Sequence, residues 1–311
     1  MAGEYMPDGE AMRRFVRGIV RVLIVLVLLI AVGLGYVYWR SSALLAPHVR
    51  IDEAALAIPS GADAVERGRH LAMTRGCGEC HGADFGGKTI VDILPVGRIA
   101  GPNLTRGKGG VGAVFGAAEW ERAIRHGVAS DGRMLVIMPI RDFAAFTDAD
   151  TADLIAFLQQ LPPVDRENPP ITIGPIPRLQ MLLGSVPLAE ARAIDQHAAH
   201  MTAMPPAPTP EYGAYLAHTC SGCHGEHFSG GRIPGLPPSF PAAANITPDA
   251  SGIKEWNKVD FYTAMRSGKR PNGTGIDPFM PWTQFKLMSD TELDALWAFL
   301  QIQPPRPTGG R

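Results

Sequence analysis

Apolar residues are arranged in two ways along the chain. From Val22 to Trp39 run eighteen residues without a charge, which as a helix would extend roughly 27 Å, enough to cross a bilayer core. Beyond residue 60 the apolar positions instead recur in short stretches at helical spacing. Trp120, Ala123 and Ile124 share one face, as do Phe261, Ala264 and Met265; later come Leu154, Ile155 and Leu158, then Leu293, Leu296, Trp297 and Leu300. Thr147 before Asp148, and Ser289 with Glu292 three residues on, read as helix starts, while Gly127 and Gly268 read as stops. The pattern predicts a mainly α protein, with one N-terminal transmembrane helix followed by two tandem helical domains.

The two domains are copies. Gly68 and Leu71 precede Cys77-Gly78-Glu79-Cys80-His81, and Gly213 and Leu216 precede Cys220-Ser221-Gly222-Cys223-His224. After each motif come a phenylalanine (Phe85, Phe228), a glycine pair, and Asn103-Leu104-Thr105 or Asn245-Ile246-Thr247. Each copy then presents Met-Pro (Met138-Pro139, Met280-Pro281) before its last helix. Self-similarity of this kind marks a duplicated unit. The expected organisation is a basic cytoplasmic segment at 1–21, a membrane anchor at 22–39, domain 1 at 62–165, a connector at 166–207 and domain 2 at 208–305. Short helices are expected in the connector around Leu179 to Leu183 and Leu188 to His200.

Charge sets the orientation. Arg13, Arg14, Arg17 and Arg21 precede the apolar run, and Tyr36, Tyr38 and Trp39 stand at its far end, so the positive-inside rule places the N-terminus in the cytoplasm and the domains outside. A cleaved signal peptide is the alternative, with Ser41-Ser42-Ala43 as small residues for a peptidase. The run is longer than the usual ~7–15 residues of such a segment, which favours an anchor. In a bacterium this means the inner membrane, single-pass, with both domains in the periplasm. A net charge of −1 offers no basic footprint for nucleic acid.

All four cysteines fall in the two Cys-x-x-Cys-His motifs. Two thiols one helical turn apart can each bond one vinyl group of a haem, and the adjacent histidine then reaches the iron. Cys77, Cys80, Cys220 and Cys223 are thus the expected covalent attachment points of two haem c groups, with His81 and His224 as axial ligands. Zinc also uses Cys-x-x-Cys, but the pairs would have to converge on one ion, and they lie in separate copies. The opposite axial ligands are expected at Met138 and Met280, which recur at nearly the same distance from their histidines. Soft thioether sulfur suits an electron carrier. Met134 and Met288 are the rivals, without counterparts in the other copy. His70, His126, His197, His200, His218 and His227 have no matching partners and are expected to hold no metal, although His200 stands out by lying in the connector. Arg125 and Arg266 match between copies and could cap carbonyls or face a haem propionate.

These residues resemble the class I cytochrome c family over roughly 62–165 and 208–305. The first copy further resembles the cytochrome subunits of membrane-bound alcohol and gluconate dehydrogenases, through Gly101-Pro102-Asn103-Leu104-Thr105, Gly110-Val111-Gly112, Glu119 to Arg125, Asp131-Gly132-Arg133, Met138-Pro139 and Ala152 to Val164. Those subunits carry three motifs where this chain carries two, and its anchor is N-terminal. The resemblance implies an electron carrier rather than an enzyme: a membrane-anchored di-haem cytochrome next to or within a respiratory, photosynthetic or dehydrogenase complex. Its expected partners are the membrane and redox proteins, namely a membrane oxidoreductase complex, and not nucleic acid. The alternative is the electron-transfer subunit of a quinoprotein-type dehydrogenase. A di-haem peroxidase would need an open iron, against which both Met-Pro pairs argue.

Overall fold

The computed structural model describes residues 9–51, 56–186 and 188–310. Residues 1–8 of the expected cytoplasmic segment lie outside them. Helix α1 (Gly9–Leu45) is longer than the charge-free run and continues through Ser41, Ser42 and Ala43. Its apolar side chains from Phe15 to Trp39 are almost all exposed, as a helix solvated by lipid requires. One stretch of it, Met12–Leu45, is long and apolar enough to cross a membrane.

Domain 1 begins with α2 (Ala62–Thr74), breaks at Gly76 and restarts as the single turn α3 (Cys77–His81). A three-stranded antiparallel sheet follows, β1 (Lys88–Ile93) and β2 (Gly97–Gly101) joined later by β3 (Thr172–Ile173), in the order β1-β2-β3. Next come α4 (Ala117–Glu121), prolonged by a wider π-type turn over Arg122–His126, then α5 (Ile140–Ala144) and α6 (Asp148–Leu158). Thr147 caps α6, its hydroxyl accepting from the Asp150 amide. The core gathers Phe85, Trp120, Ile124, Phe143, Leu154, Ile155 and Leu158, each fully buried large side chain contributing about 1.5–3 kcal/mol.

The connector holds α7 (Pro175–Leu182). The second expected connector helix is a correction: from 188 to 200 only Glu190–Arg192 makes a short 3-10 turn. Tertiary packing overrides the helical spacing there. Leu188, Ala189 and Ala191 are buried, Ala189 takes φ 55°, and its amide donates to the Val136 carbonyl. The start of the connector belongs to domain 1, because β3 completes the sheet and Asn168 Nδ2 donates to the Gly86 carbonyl.

Domain 2 repeats the plan more simply with α8 (Pro210–His224), α9 (Lys258–Ser267), α10 (Trp282–Phe285) and α11 (Asp290–Gln301). Here the hairpin of domain 1 is reduced to one bridge, Gly231 to Ala243. In both domains the first and last helices cross through a glycine. A Cβ on Gly68 would stand 1.9 Å from the Asp153 carbonyl oxygen, and one on Gly213 2.0 Å from that of Ala295. No other residue permits that approach.

The domains pack with approximate two-fold symmetry. Helix α5 of domain 1 meets α8 of domain 2, and its counterpart α10 meets α2. Residues near i touch those near j and the reverse also holds, as in an isologous interface.

Candidate functional site

In domain 1 the turn of α3 carries Cys77, Cys80 and His81; in domain 2 the same residues form the last turn of α8. After each histidine the chain reverses at a glycine, Gly82 (φ 82°) or Gly225 (φ 81°). Phe85 and Phe228 then take φ 56° and 58°, a conformation that disfavours bulky residues. Both are held by the same bonds: Phe85 N to the Gly82 carbonyl and Phe228 N to that of Gly225, each 3.0 Å. Their rings meet Phe157 and Phe299 edge-on, with centroids 5.5 and 5.4 Å apart.

The motif histidines are oriented alike. His81 Nδ1 lies 3.0 Å from the Pro102 carbonyl oxygen and His224 Nδ1 2.7 Å from that of Ala244. A carbonyl only accepts, so Nδ1 carries the proton and Nε2 carries the lone pair that a metal needs. Burial, opposed by the bond to Pro102, lowers the pKa of His81 and so keeps it neutral. The carbonyls are fixed in turn by a repeated network. Thr105 and Thr247 donate to Asn103 Oδ1 and Asn245 Oδ1 (both 2.8 Å), while Asn103 Nδ2 and Asn245 Nδ2 donate to the Val164 and Arg306 carbonyls (both 2.7 Å).

Met138 and Met280 stand at equivalent turns. Pro139 has φ −77°, ψ 75° and Pro281 φ −78°, ψ 51°; Ile140 N and Trp282 N donate back to the methionine carbonyls at 2.9 and 2.7 Å. These are inverse γ-turns, for which proline supplies the right φ. Gly127 (φ 64°) and Gly268 (φ 66°) end the preceding helical segments, and a Cβ on either would stand 2.4 Å from Ile140 Cγ1 or 2.5 Å from the Trp282 ring. The stop signals thus also seat the residue that follows each Met-Pro. Met138 packs on the same core as Cys77, and Met280 on the same core as Cys220. Of the rivals, Met134 is buried in a separate cluster with Val128, Ala189 and Ala191, and Met288 lies inside the second core.

The residues fit haem. Burial pushes the Cys77 and Cys220 thiols up to about 12, because an apolar surrounding disfavours the thiolate. Among the described residues no group of three His, Cys, Asp or Glu side chains is placed to share a metal ion. The Trp120 and Trp282 indole nitrogens are buried without a protein partner, leaving in each domain a donor that an acceptor such as a propionate could satisfy. Arg125 and Arg266 do not fill that role. Arg125 spends its nitrogens on Thr151, Glu121, the Phe146 carbonyl and Asp148; Arg266 binds the Lys286 carbonyl and Asp290. Both clamp the first turn of the last helix.

Over half of the chain matches the family model for cytochrome c, at residues 65–162 and 211–303. The chain belongs to the cytochrome c family. Two such domains imply two haem c binding sites. Among curated proteins it is 27% identical over 273 residues to the fructose dehydrogenase cytochrome subunit of Gluconobacter japonicus, covering 79% of this chain and 54% of that protein. It is 36% identical over 94 residues to the gluconate 2-dehydrogenase cytochrome c subunit of Pantoea cypripedii (28% of this chain, 21% of that one). It is also 36% identical over 94 residues to the cytochrome c subunit of alcohol dehydrogenase (quinone) of Gluconobacter oxydans (29% and 20%). The chain therefore spans from a fifth to about half the length of these relatives.

The contact between the two cytochrome domains joins their motifs, which sequence reading did not foresee. Arg75, two residues before Cys77, is buried; its Nη1 donates to the Leu216 carbonyl at 3.2 Å and to Thr219 Oγ1 at 3.1 Å, just before Cys220. Its guanidinium also lies 5.7 Å from the Phe146 ring centroid. Glu79, inside the first motif, accepts from Gln284 Nε2, four residues after Met280. His70 Nε2 meets Glu292 Oε2 at 2.8 Å, and Tyr215 OH donates to Asp150. The sequence held no signal for Arg75, since nothing equivalent occurs in the second copy.

Proposed function

We propose that this chain is the electron-transfer subunit of a membrane-bound dehydrogenase, carrying two covalently attached haem c groups on the periplasmic side of the bacterial inner membrane. The reading rests on one observation above all: the histidine–carbonyl bond and the Met-Pro turn occur twice in the same form. Cys77 and Cys80, with Cys220 and Cys223, are the thioether positions. His81 and His224 would hold iron through Nε2, and Met138 and Met280 would supply its second protein ligand. Haem supplies a one-electron ferric/ferrous couple, which thioether ligation shifts toward the ferrous form.

The protein's own groups do the rest. The carbonyls of Pro102 and Ala244 fix the tautomer, Phe85 and Phe228 pack into the two domain cores, and a methionine ligand in each domain would leave no open iron for peroxide chemistry. Arg75, beside the first motif, binds Thr219, beside the second, so haems held at the two motifs would exchange electrons across the domain interface. The kinship with cytochrome subunits of gluconate, fructose and alcohol dehydrogenases favours a subunit role over a free-standing carrier. Two one-electron sites would match a two-electron oxidation at the partner.

Purification of the full chain from its native membrane in mild detergent tests this. A stoichiometric dehydrogenase subunit and two low-spin haems per chain are expected. A free monomer would overturn the subunit role, and a high-spin ferric haem at neutral pH would overturn the ligand assignment.

A further inference from the structure

The geometry points to a second membrane contact in this protein: the tip of the β1–β2 hairpin and the outer face of α7 rest in the outer-leaflet interface beside α1. This rests on the reading of α1 as a membrane span. The observations begin where α1 leaves its apolar run. Val37, Ser41, Leu44 and Leu45 form the stripe of α1 that is not fully exposed, and α7 packs against this end of the helix. Arg178 of α7 fixes the contact. Its Nη1 donates to Ser41 Oγ at 2.7 Å and Ser42 Oγ at 3.1 Å, its Nε donates to the Ile173 carbonyl, and its guanidinium lies 4.7 Å from the Tyr38 ring centroid.

From Val37 to Leu45 the helix rises only about 12 Å, and each headgroup layer is roughly 5–8 Å deep. Arg178 reaches both the Tyr38 ring and Ser41, so α7 meets α1 at the level of the exposed aromatic rings of Tyr36 and Trp39, where such rings mark the interface.

The surface that α7 turns away from α1 is apolar. Ile176, Leu179 and Leu183 follow at i, i+3 and i+7, and Leu183 is 70% exposed. Ile171 continues the patch toward β3, and β3 joins it to the hairpin. Gly174 N donates to the Val96 carbonyl, and a Cβ on Gly174 would lie 2.1 Å from the Pro95 carbonyl oxygen. That contact holds the hairpin tip, Ile93 and Leu94, against the start of α7, with Leu94 86% exposed. Six large apolar side chains, each at least 40% exposed, thus form one edge, joined through α7 to the end of the membrane helix. A short helix with its apolar face in the headgroup boundary is an interfacial anchor. The occupant is the lipid bilayer. With α1 and this edge both in the membrane, domain 1 is held in one orientation and cannot swing on a flexible stalk.

The test uses the haem-loaded full chain in phospholipid nanodiscs, spin-labelled one position at a time at Leu94→Cys, Leu183→Cys, Leu28→Cys or Val259→Cys. Collision with oxygen, which concentrates in lipid, is compared with collision with a water-soluble nickel chelate. Labels at 94 and 183 are expected to favour oxygen over nickel, approaching the label at 28 in α1, while the label at the exposed 259 of domain 2 behaves as in water. Water-like behaviour at 94 and 183 with a lipid-like signal at 28 overturns the second contact and leaves the span intact. Shielding of 94 and 183 from both reagents overturns it as well, because it marks a protein cover. A water-like signal at 28 shows that the span itself has failed and removes the basis of the inference.

Discussion

The two domains carry the same site on different entries. In domain 2, α8 runs unbroken from Pro210 through His224, with seven residues from Gly213 to Cys220. In domain 1 Cys77 follows Gly68 by nine positions, against seven in domain 2, and the helix breaks at Gly76, φ 71°. Both crossing glycines and both histidine–carbonyl bonds are preserved, so the two additional residues are absorbed in the break. The break frees Arg75 to leave its own helix and bind the end of α8. An insertion that leaves the site unchanged has made the two sites neighbours.

Removing the attachment points gives the largest effect. Cys77→Ala/Cys80→Ala and Cys220→Ala/Cys223→Ala are each expected to leave one covalent haem per chain, counted by the pyridine haemochrome spectrum. Loss of both from either variant would show that the domains do not load independently. Met138→Ala and Met280→Ala should each convert one haem to high spin and lower its midpoint potential on the order of 0.1 V, a fraction of the ~0.8 V range that axial ligands command. A low-spin spectrum in Met138→Ala would reassign the ligand of domain 1.

The next comparison concerns packing. Gly68→Ala and Gly213→Ala place a methyl group against backbone that cannot yield, so each is expected to cost about 1–3 kcal/mol in thermal unfolding. Equal losses would confirm matching crossings. Arg75→Gln removes a buried cation from between the motifs, at a cost of roughly 1–3 kcal/mol for the hydrogen bonds lost. Both midpoint potentials should fall, because the cation favours the less positive ferrous form. A fall in only one would confine its influence to one domain.

The smallest effect is in pH. Burial raises the pKa of Glu292, but its bonds to His70 and Ser289 outweigh this and hold the carboxyl below its usual 4.5. The native state therefore binds fewer protons than the unfolded state near that value. The stability that Glu292 contributes is present above pH 4.5 and is lost as pH falls through the lowered value. Glu292→Gln should flatten the acid limb of a denaturation series, and an unchanged limb would remove this carboxylate from the contact.

Much of the fold was legible because its signals are local. Thr147 and Ser289 cap the helices that their spacing announced, and Gly127 and Gly268 stop theirs, since capping and left-handed backbone depend on a few neighbouring residues. The connector beyond Leu188 was misread for the converse reason: its apolar spacing suits a helix, but those residues are used to fill a cluster against domain 1. The sheet also escaped notice, because β3 comes from the connector and pairs with β2 across more than seventy residues. Arg125 and Arg266 could have served a cofactor by sequence, and only their packing showed them committed to Asp148 and Asp290.

The sequence by itself determined the duplication, because a repeat announces itself by its register, and it pointed to the cofactor class, because covalent attachment needs two thiols and an imidazole in adjacent turns. It also nominated the Met-Pro turns. Only the tertiary structure decided which nitrogen of each motif histidine faces a carbonyl, what the matched arginines hold, and that Arg75, Glu79 and Gln284 join the surroundings of the two motifs. Those outcomes depend on carbonyls and side chains brought together from distant positions, a relation that spacing along one chain does not encode.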